Sequence, residues 1–302
     1  LRPTSSAILS RFLLHWVRTP FFISEMTRRA TGANYPAVSD RTVKESKIPL
    51  PEISVQRWIV ENLDLADEIK RKRLETVKLT EELLRSVFLD MFGDPITNPK
   101  AWPKVLLNDL AIKPDGIKCG PFGTQLSKKE FVMAGVPLWG IKQVNKHFAV
   151  HTKEFLSNQK AEELKDYAIF PSDIIMTRKG TIGNCAVYPS TFPKGIMHSD
   201  LLRIRTDPEK GLSSFLSWQL IYSKDVERQI AAFSSGAVMP GINVSKLKAI
   251  KVFCPPISEQ KQFVNLSENI LRLKDQQNAA IVESDNLFNS LLQRAFQGDV
   301  AF

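Results

Sequence analysis

The sequence predicts an α+β fold: one globular unit of mixed helix and strand with a strongly curved mixed sheet, plus two long helices that pair as a coiled coil. Three observations predict it. First, one constant offset lays Pro51, Ile53, Ser54, Gln56, Val60, Leu83, Ser86 and Phe92 onto Pro255, Ile257, Ser258, Gln260, Val264, Leu287, Ser290 and Phe296. Second, neither stretch contains Gly or Pro between its serine (Ser54 or Ser258) and its closing Gly93-Asp94 or Gly298-Asp299. Third, residues 95–254 read as short apolar runs broken by glycine and proline. The offset also carries Gly32, Ala33, Pro36 and Lys47 onto Gly236, Ala237, Pro240 and Lys251. So long a shared offset marks an internal repeat of roughly two hundred residues, and the chain begins partway through one unit.

Residues 1–50 read as the tail of an incomplete globular unit. Phe12–Met26 is expected to be helical, Thr31–Pro36 a loop, and Val43–Leu50 a short strand feeding the first long helix. By the repeat, 215–230, 234–240 and 247–253 do the same jobs later in the chain. Each long helix opens on prolines, which cannot sit inside a helix, followed by a serine suited to the N-cap, and closes on glycine. Phe263, Leu266, Ile270, Leu273, Ala280, Leu287 and Leu291 follow a 3-4 spacing, and Ile59, Ala66, Ile69, Leu83 and Val87 fall on matching positions. That spacing is a coiled-coil seam, weak at mid-length where Arg73, Thr76 and Thr80 face Gln277 and Ser284. At about 1.5 Å per residue each helix is roughly 55 Å long, and it needs a partner along its stripe, for which the other copy serves. Lys70-Arg71-Lys72-Arg73 is either a solvated face or a phosphate or partner contact.

After a linker, Pro95–Pro103, the strands are expected at Val105–Leu110, Val136–Ile141, Ala168–Phe170, Asp173–Thr177, Ile182–Tyr188 and Leu201–Arg205. Strands and helices do not alternate strictly, which disfavours a doubly wound sheet.

The 302 residues leave room for about two domains. A net charge of +9 makes an anionic partner plausible. Cys119, Cys185 and Cys254 show no CxxC spacing and no disulfide framework, which fits a reducing, cytoplasmic setting. No run is apolar and long enough to span a membrane; Arg11, His15 and Arg18 break the apolar start. Residue 1 is Leu, from which a fragment is expected.

Two loops hold candidate contact residues. Gly116–Gln125 is glycine-rich without the spacing of a phosphate cradle. It is either a tight turn or a place of close backbone approach, where Thr124 and Gln125 can both donate to and accept from base edges. Met176–Gly183 sets Arg178 and Lys179 at a Gly-bounded turn, either a solvated hairpin or a guanine reader beside a phosphate contact. Catalytic patterns are poor. His147 and His151 lack a third ligand of obvious spacing. Asp115, Glu163 and Lys165 fit a metal-nuclease pattern only across a long gap. No nucleophile elbow is present, and Cys254-Pro255-Pro256-Ile257 lacks both ends of an amino-methyltransferase tetrapeptide. Catalysis by this chain alone is therefore not predicted.

Together these motifs resemble the specificity subunit of type I restriction–modification enzymes. The likeness rests on Trp102-Pro103 with Leu107-Asn108-Asp109-Leu110, on Gly120–Leu126, on Phe170–Gly183, and on Pro255–Lys261, and it covers essentially the whole chain. It implies target-recognition domains, each followed by a long helix, with the helices antiparallel. The chain then divides into a remnant of a first recognition domain (1–50), a first spacer helix (51–94), a second recognition domain (95–254) and a second spacer helix (255–299). The first domain's glycine-rich loop has no counterpart here. The resemblance further implies a non-catalytic subunit that reads half of a bipartite site in double-stranded DNA. Lys118, Lys128, Lys129, Lys142, Lys146 and Lys179 are then expected on phosphates, and Thr124, Gln125, Gln143, Arg178 and His198 on base edges. Modification subunits would bring S-adenosylmethionine, and restriction subunits ATP and Mg; no cofactor is expected on this chain. The rival readings are a stand-alone DNA-binding protein that dimerises through its helices, and a metal-dependent nuclease using Asp115, Glu163 and Lys165.

Overall fold

The computed structural model describes residues 1–234 and 241–297. In chain order, four helices come first: α1 (Ser10–Val17), α2 (Pro20–Arg29), α3 (Asp40–Lys44) and the long α4 (Ile53–Phe92). Short strands follow: β1 (Lys104–Leu106), β2 (Ile117–Cys119), β3 (Phe131–Val132) and β4 (Val136–Trp139). Next come α5 (Ile141–Asn145), β5 (Phe155–Leu156), α6 (Asn158–Glu163), β6 (Ala168–Ile169), β7 (Ile174–Thr177), β8 (Cys185–Val187), β9 (Gly195–Met197) and β10 (Leu201–Ile204). The chain continues through α7 (Ser213–Tyr222), α8 (Lys224–Ser234), α9 (Val244–Lys248), β11 (Lys251–Phe253) and the long α10 (Ile257–Gln297). This is the expected α+β class with two long helices.

Two compact units form: Leu1–Glu82 with the chain from Ile270, and Leu83–Asn269. The division falls inside both long helices. In the first unit the helices run antiparallel. Ile59 and Leu63 of α4 pack with Phe288 and Leu292 of α10, and Phe12 of α1 closes the cluster. Further along, Lys70 lies 2.7 Å from Asp285, Thr80 donates to Gln277 Oε1 at 3.0 Å, and Lys274 lies 2.7 Å from Glu81. Arg73 donates to the Ala280 carbonyl and to Ser284 Oγ, so the polar mid-length of the seam is a hydrogen-bonded one. Three of the four cations of the basic run are thus engaged: Lys70 and Arg73 reach α10, and Lys72 pairs with Glu68 at 2.8 Å.

The expected seam holds at Ile59 and Phe263, which are buried, and at Ala66 and Leu291, which pack against the buried cluster, and it shifts by a residue elsewhere. Ile69, Leu83, Leu266, Leu273 and Leu287 are exposed, whereas Leu63, Leu84, Phe88, Phe288 and Leu292 are buried. The offset still holds, since it carries Leu84 and Phe88 onto Phe288 and Leu292. Two adjacent apolar stripes run along each helix, and only the packing partner chooses between them. The helices also start one residue before Ser54 and Ser258, so neither serine is the cap.

The remaining N-terminal expectations are corrected twice. Phe12–Met26 is two helices, because Pro20 starts α2 and Thr19 Oγ1 accepts the Phe22 N–H while donating to Trp16 O at 2.7 Å. Val43–Leu50 is not a strand. Ser39 caps α3, and residues 45–52 carry no strand because no neighbouring strand pairs with them among the described residues. The expected loop at 234–240 and the closing residues 298–299 lie outside the described residues.

In the second unit the strands form three open sheets. β1 and β11 pair antiparallel. β2-β10-β7-β8 is antiparallel throughout, and β3-β5-β4-β9-β6 is mixed, with β4 parallel to β9. All six expected strands are shorter than predicted; among the causes, Leu107–Asp109 is a 3₁₀ turn, Ile141 opens α5, and the β7–β8 turn takes up residues 178–184. β2, β3, β5 and β9 were not expected; two or three residues show no alternation. Trp139, Phe148, Ile175, Tyr188, Met197 and Leu201 form one buried cluster between the two larger sheets and α5. A second, aromatic cluster gathers Phe88, Phe92, Phe215, Trp218, Phe253 and Phe263, with Phe88 stacked on Trp218 at 4.6 Å.

Candidate nucleic-acid interface

Three loops distant in sequence meet at one end of the four-stranded sheet. The first follows β2. Gly120 donates its N–H to Leu201 O at 3.1 Å, and a Cβ there would sit 2.1 Å from His198 O, so only glycine lets the backbones approach. The second is the β7–β8 turn. Gly180 has φ +71°, and Thr177 Oγ1 donates back to Thr181 O, holding the turn on itself. The third is the β9–β10 turn, His198–Asp200. Arg178 N–H donates to Asp200 O at 3.0 Å, and His198 N–H to Trp139 O at 2.9 Å.

Side chains tie these loops together. Arg178 Nη1 donates to Cys119 Sγ at 2.9 Å, and its guanidinium lies 5.2 Å from the Phe122 ring centroid. The Cys119 thiol donates to Ser199 O at 3.8 Å. Burial pushes this thiol up; the nearby Arg178 charge acts in the opposite direction. Asp200 lies 3.2 Å from Lys179 Nζ and 3.4 Å from His198 Nδ1, so one carboxylate positions two predicted contact residues. Asn145 Oδ1 accepts from Thr181 Oγ1 at 3.0 Å and from Asn184 Nδ2 at 2.9 Å, which fastens the end of α5 to the same turn. Lys142 on α5 and Lys146 at its end are exposed beside that anchor and carry no ion pair among the described residues.

The other predicted residues sort by environment. Thr124 is exposed in the 3₁₀ turn Gly123–Gln125. Gln125 is exposed too, with Oε1 accepting from Phe122 N–H at 2.9 Å and Tyr167 OH at 3.1 Å. Lys118 is half-buried, 3.5 Å from Asp166 and 5.4 Å from the Tyr167 ring centroid. Lys128 and Lys129 are exposed on a turn that Glu130 anchors to Lys160 at 2.7 Å. Gln143 is different: it is 8% exposed, its Oε1 accepts from Gly140 N–H at 3.2 Å, and its Nε2 donates to His151 O at 3.5 Å. It shapes the turn and offers no edge to a base. Phe122, 56% exposed, Asn145 and Asp200 belong to this site, and sequence reasoning did not single them out. Phe122 lay inside the glycine-rich motif; an acid among cations was the available signal for Asp200.

Arg203 on β10 ties together backbone outside the three loops. It is buried and donates to Ala168 O at 2.6 Å, Asp115 O at 3.0 Å and Asp166 O at 3.2 Å. Desolvation, the largest influence, lowers its pKa. The nuclease residues are each engaged in an ordinary ion pair: Asp115 with Lys118 at 3.9 Å, Glu163 with Lys160 at 3.2 Å, Lys165 with Glu162 at 3.0 Å. The His151 ring stacks on Phe192. Among the described residues no group of three His, Cys, Asp or Glu side chains could hold a metal ion, and no helix is long and apolar enough to cross a membrane.

Residues 99–283 match a family model described as type I restriction modification DNA specificity domain. The StySPI specificity subunit of Salmonella potsdam is 21% identical over 99% of this chain and 67% of its own length. The EcoBI specificity subunit of Escherichia coli is 24% identical over 96% of this chain and 65% of its own length. The chain thus spans about two thirds of the length of these curated relatives. Among solved structures, a chain from a study of complex assembly and conformational transition of the type I R-M system superposes with a TM-score of 0.64 at 22% identity, covering 96% of this chain and 71% of that one. The type I S subunit from M. genitalium superposes with a TM-score of 0.58 at 16% identity, covering 97% and 74%. At these identities the superpositions show the fold.

Proposed function

Because the chain belongs to the type I restriction modification DNA specificity family, we propose that it is a DNA-reading subunit whose globular unit contacts one half of a bipartite site and docks modification subunits. One observation carries this reading. Inside the matched span, three loops separated in sequence are locked together by Arg178–Cys119, Lys179–Asp200 and Asn145–Thr181 contacts, and cations stand on the rim they form. Rigid, preassembled loops suit readout of base edges, while flanking cations supply sequence-independent affinity. In this reading Thr124, Gln125, Arg178 and His198 face bases. Lys118, Lys128, Lys129, Lys142, Lys146 and Lys179 face phosphates, and Gln143 shapes the loop. The antiparallel helices set the half-site spacing, as dimer geometry does for other DNA-binding proteins. The subunit itself performs no chemistry. Its partners supply the reaction: S-adenosylmethionine on the modification subunits, ATP and Mg on the restriction subunits.

The test is DNA binding and methylation by the purified chain with its cognate modification subunit, across a panel of sites. Arg178→Ala is expected to remove about 1–3 kcal/mol of discrimination at one base pair, and Lys179→Ala to weaken all sequences alike. Sequence-specific binding or cutting by the chain unaided would overturn the partner-dependent reading.

A further inference from the structure

Two amide side chains at the joined loops are held so that only one end is left to bond. Gln125 Oε1 accepts from the Phe122 N–H at 2.9 Å and from Tyr167 OH at 3.1 Å. An amide oxygen has two lone pairs, and both are taken. A backbone N–H only donates, so it fixes which end of this amide is the oxygen. Gln125 Nε2 remains, on an exposed residue and with no partner among the described residues. Asn145 repeats the arrangement at the end of α5. Its Oδ1 accepts from Thr181 Oγ1 at 3.0 Å and from Asn184 Nδ2 at 2.9 Å, and its Nδ2 remains.

Arg178 is joined to both. Its guanidinium lies against the Phe122 ring, and Asn145 holds the turn that carries it. A guanidinium has no acceptor at all. Arg178 Nε is buried, and Nη1 spends one hydrogen on Cys119 Sγ. What remains is an end-on fork: the second Nη1 hydrogen and Nη2. Lys179, next in the chain, is again a donor only. Thr124 keeps a hydroxyl of either sense.

Base edges in the major groove differ in the sense of their groups. Guanine presents two adjacent acceptors, N7 and O6. Thymine presents one acceptor beside a methyl, adenine an acceptor beside its amino group, and cytosine an amino group. Glutamine and asparagine ordinarily read adenine, donating to N7 and accepting from N6. Here the accepting half is occupied inside the protein. Releasing it at Gln125 would break two hydrogen bonds, one of which caps the 3₁₀ turn Gly123–Gln125.

We infer that these loops read guanine through donors alone, with Gln125 and Asn145 working beside Arg178 as one-sided amides that turn adenine and cytosine away. A donor set against an amino group leaves both without a partner, and that cost is what rejects the wrong base. This inference rests on the DNA reading and deepens it: the substrate is a half-site with guanine at the base pairs these side chains face. Asn145 thereby joins the base contacts.

The full chain with its cognate modification subunit is set to select from a duplex library randomised across the site. Guanine is expected at selected positions. Replacing such a guanine by 7-deazaguanine, which lacks the N7 acceptor, should weaken binding about tenfold, whereas inosine, which keeps N7 and O6, should bind like guanine. Gln125→Glu keeps one oxygen for Phe122 and Tyr167 and turns Nε2 into an acceptor. It is expected to move selection at one position from guanine to a base with an amino group, cytosine or adenine, a gain that an unfolded variant cannot produce. Selection of no sequence would remove the DNA reading and this inference with it. A selected site without guanine, tolerance of 7-deazaguanine at every guanine, or a Gln125→Glu protein that selects the parent's site would overturn this inference and leave the DNA reading standing.

Discussion

Buried glutamines show how single residues are reused. Gln56 Oε1 accepts from Leu9 N–H at 2.9 Å, and Gln260 Oε1 accepts from Leu212 N–H at 2.9 Å; each donates to the proline carbonyl at the start of its own helix, Pro51 or Pro255. Both are fully buried. Removing one leaves a buried donor and acceptor without partners, so Gln260→Leu is expected to cost about 2 kcal/mol or more, measured by urea unfolding. At the candidate interface Gly120 is the most constrained position. Gly120→Ala must push the glycine-rich loop off the His198–Asp200 turn. The expected cost is about 1–3 kcal/mol of stability, read by thermal melting, with loss of sequence selectivity and retention of weak nonspecific binding in competition assays. A Gly120→Ala protein with unchanged selectivity would show that the loop and turn need not be joined.

At the scale of elements, the helix pair has a hydrogen-bonded middle in place of an apolar one. Polar groups inside a seam fix register at a cost in stability. Replacing Thr80 and Gln277 together by Val and Leu is therefore expected to raise the melting temperature, by about 1 kcal/mol or more in free energy, while Thr80→Val alone is expected to lower it. The docking of α1 onto α4 is electrostatic at its edge. Arg18 donates to Asp67 at 2.6 and 3.1 Å and holds that carboxyl below its ordinary range, against a smaller opposing effect of burial. A carboxyl lowered on folding contributes stability above its unfolded value of about 3.9, and this is lost as pH falls through the folded value. Asp67→Asn should thus be less stable than the parent at pH 7, and the gap should close below about pH 4. A constant gap in acid titrations followed by circular dichroism would contradict this.

At the scale of the whole molecule, a charge of +9 is not spread uniformly in effect, because many cations are consumed in pairs such as Lys70–Asp285 and Lys160–Glu130. Lys142 and Lys146 stand exposed beside the joined loops. If both contact phosphates, the log–log salt dependence of DNA binding should lose about 0.9 per lysine when each is replaced by Ala. The loss should be the same on cognate and unrelated DNA. A variant with an unchanged slope would place the phosphate track elsewhere on the unit.

Much of this organisation was legible in the chain itself. Long Gly- and Pro-free stretches with apolar spacing dictate long helices, and a constant offset dictates that Gln56 and Gln260, or Phe92 and Phe296, do like work. The loop at Gly120 and the turn at Gly180 were readable because glycine marks a close approach of backbones, as at Gly120, or a positive φ, as at Gly180. Tertiary structure alone decided the rest. It chose Leu84 and Phe88 over Leu83 and Val87, since adjacent stripes are equally apolar until a partner covers one. It made Lys251–Phe253 a strand and left Lys47–Pro49 without one, since a strand exists only where a neighbour accepts its hydrogen bonds. It drew Cys119, Arg178 and Asp200 together and turned Gln143 inward. Contacts between residues so far apart in sequence arise from how strands are ordered in a sheet, and no local pattern encodes that order.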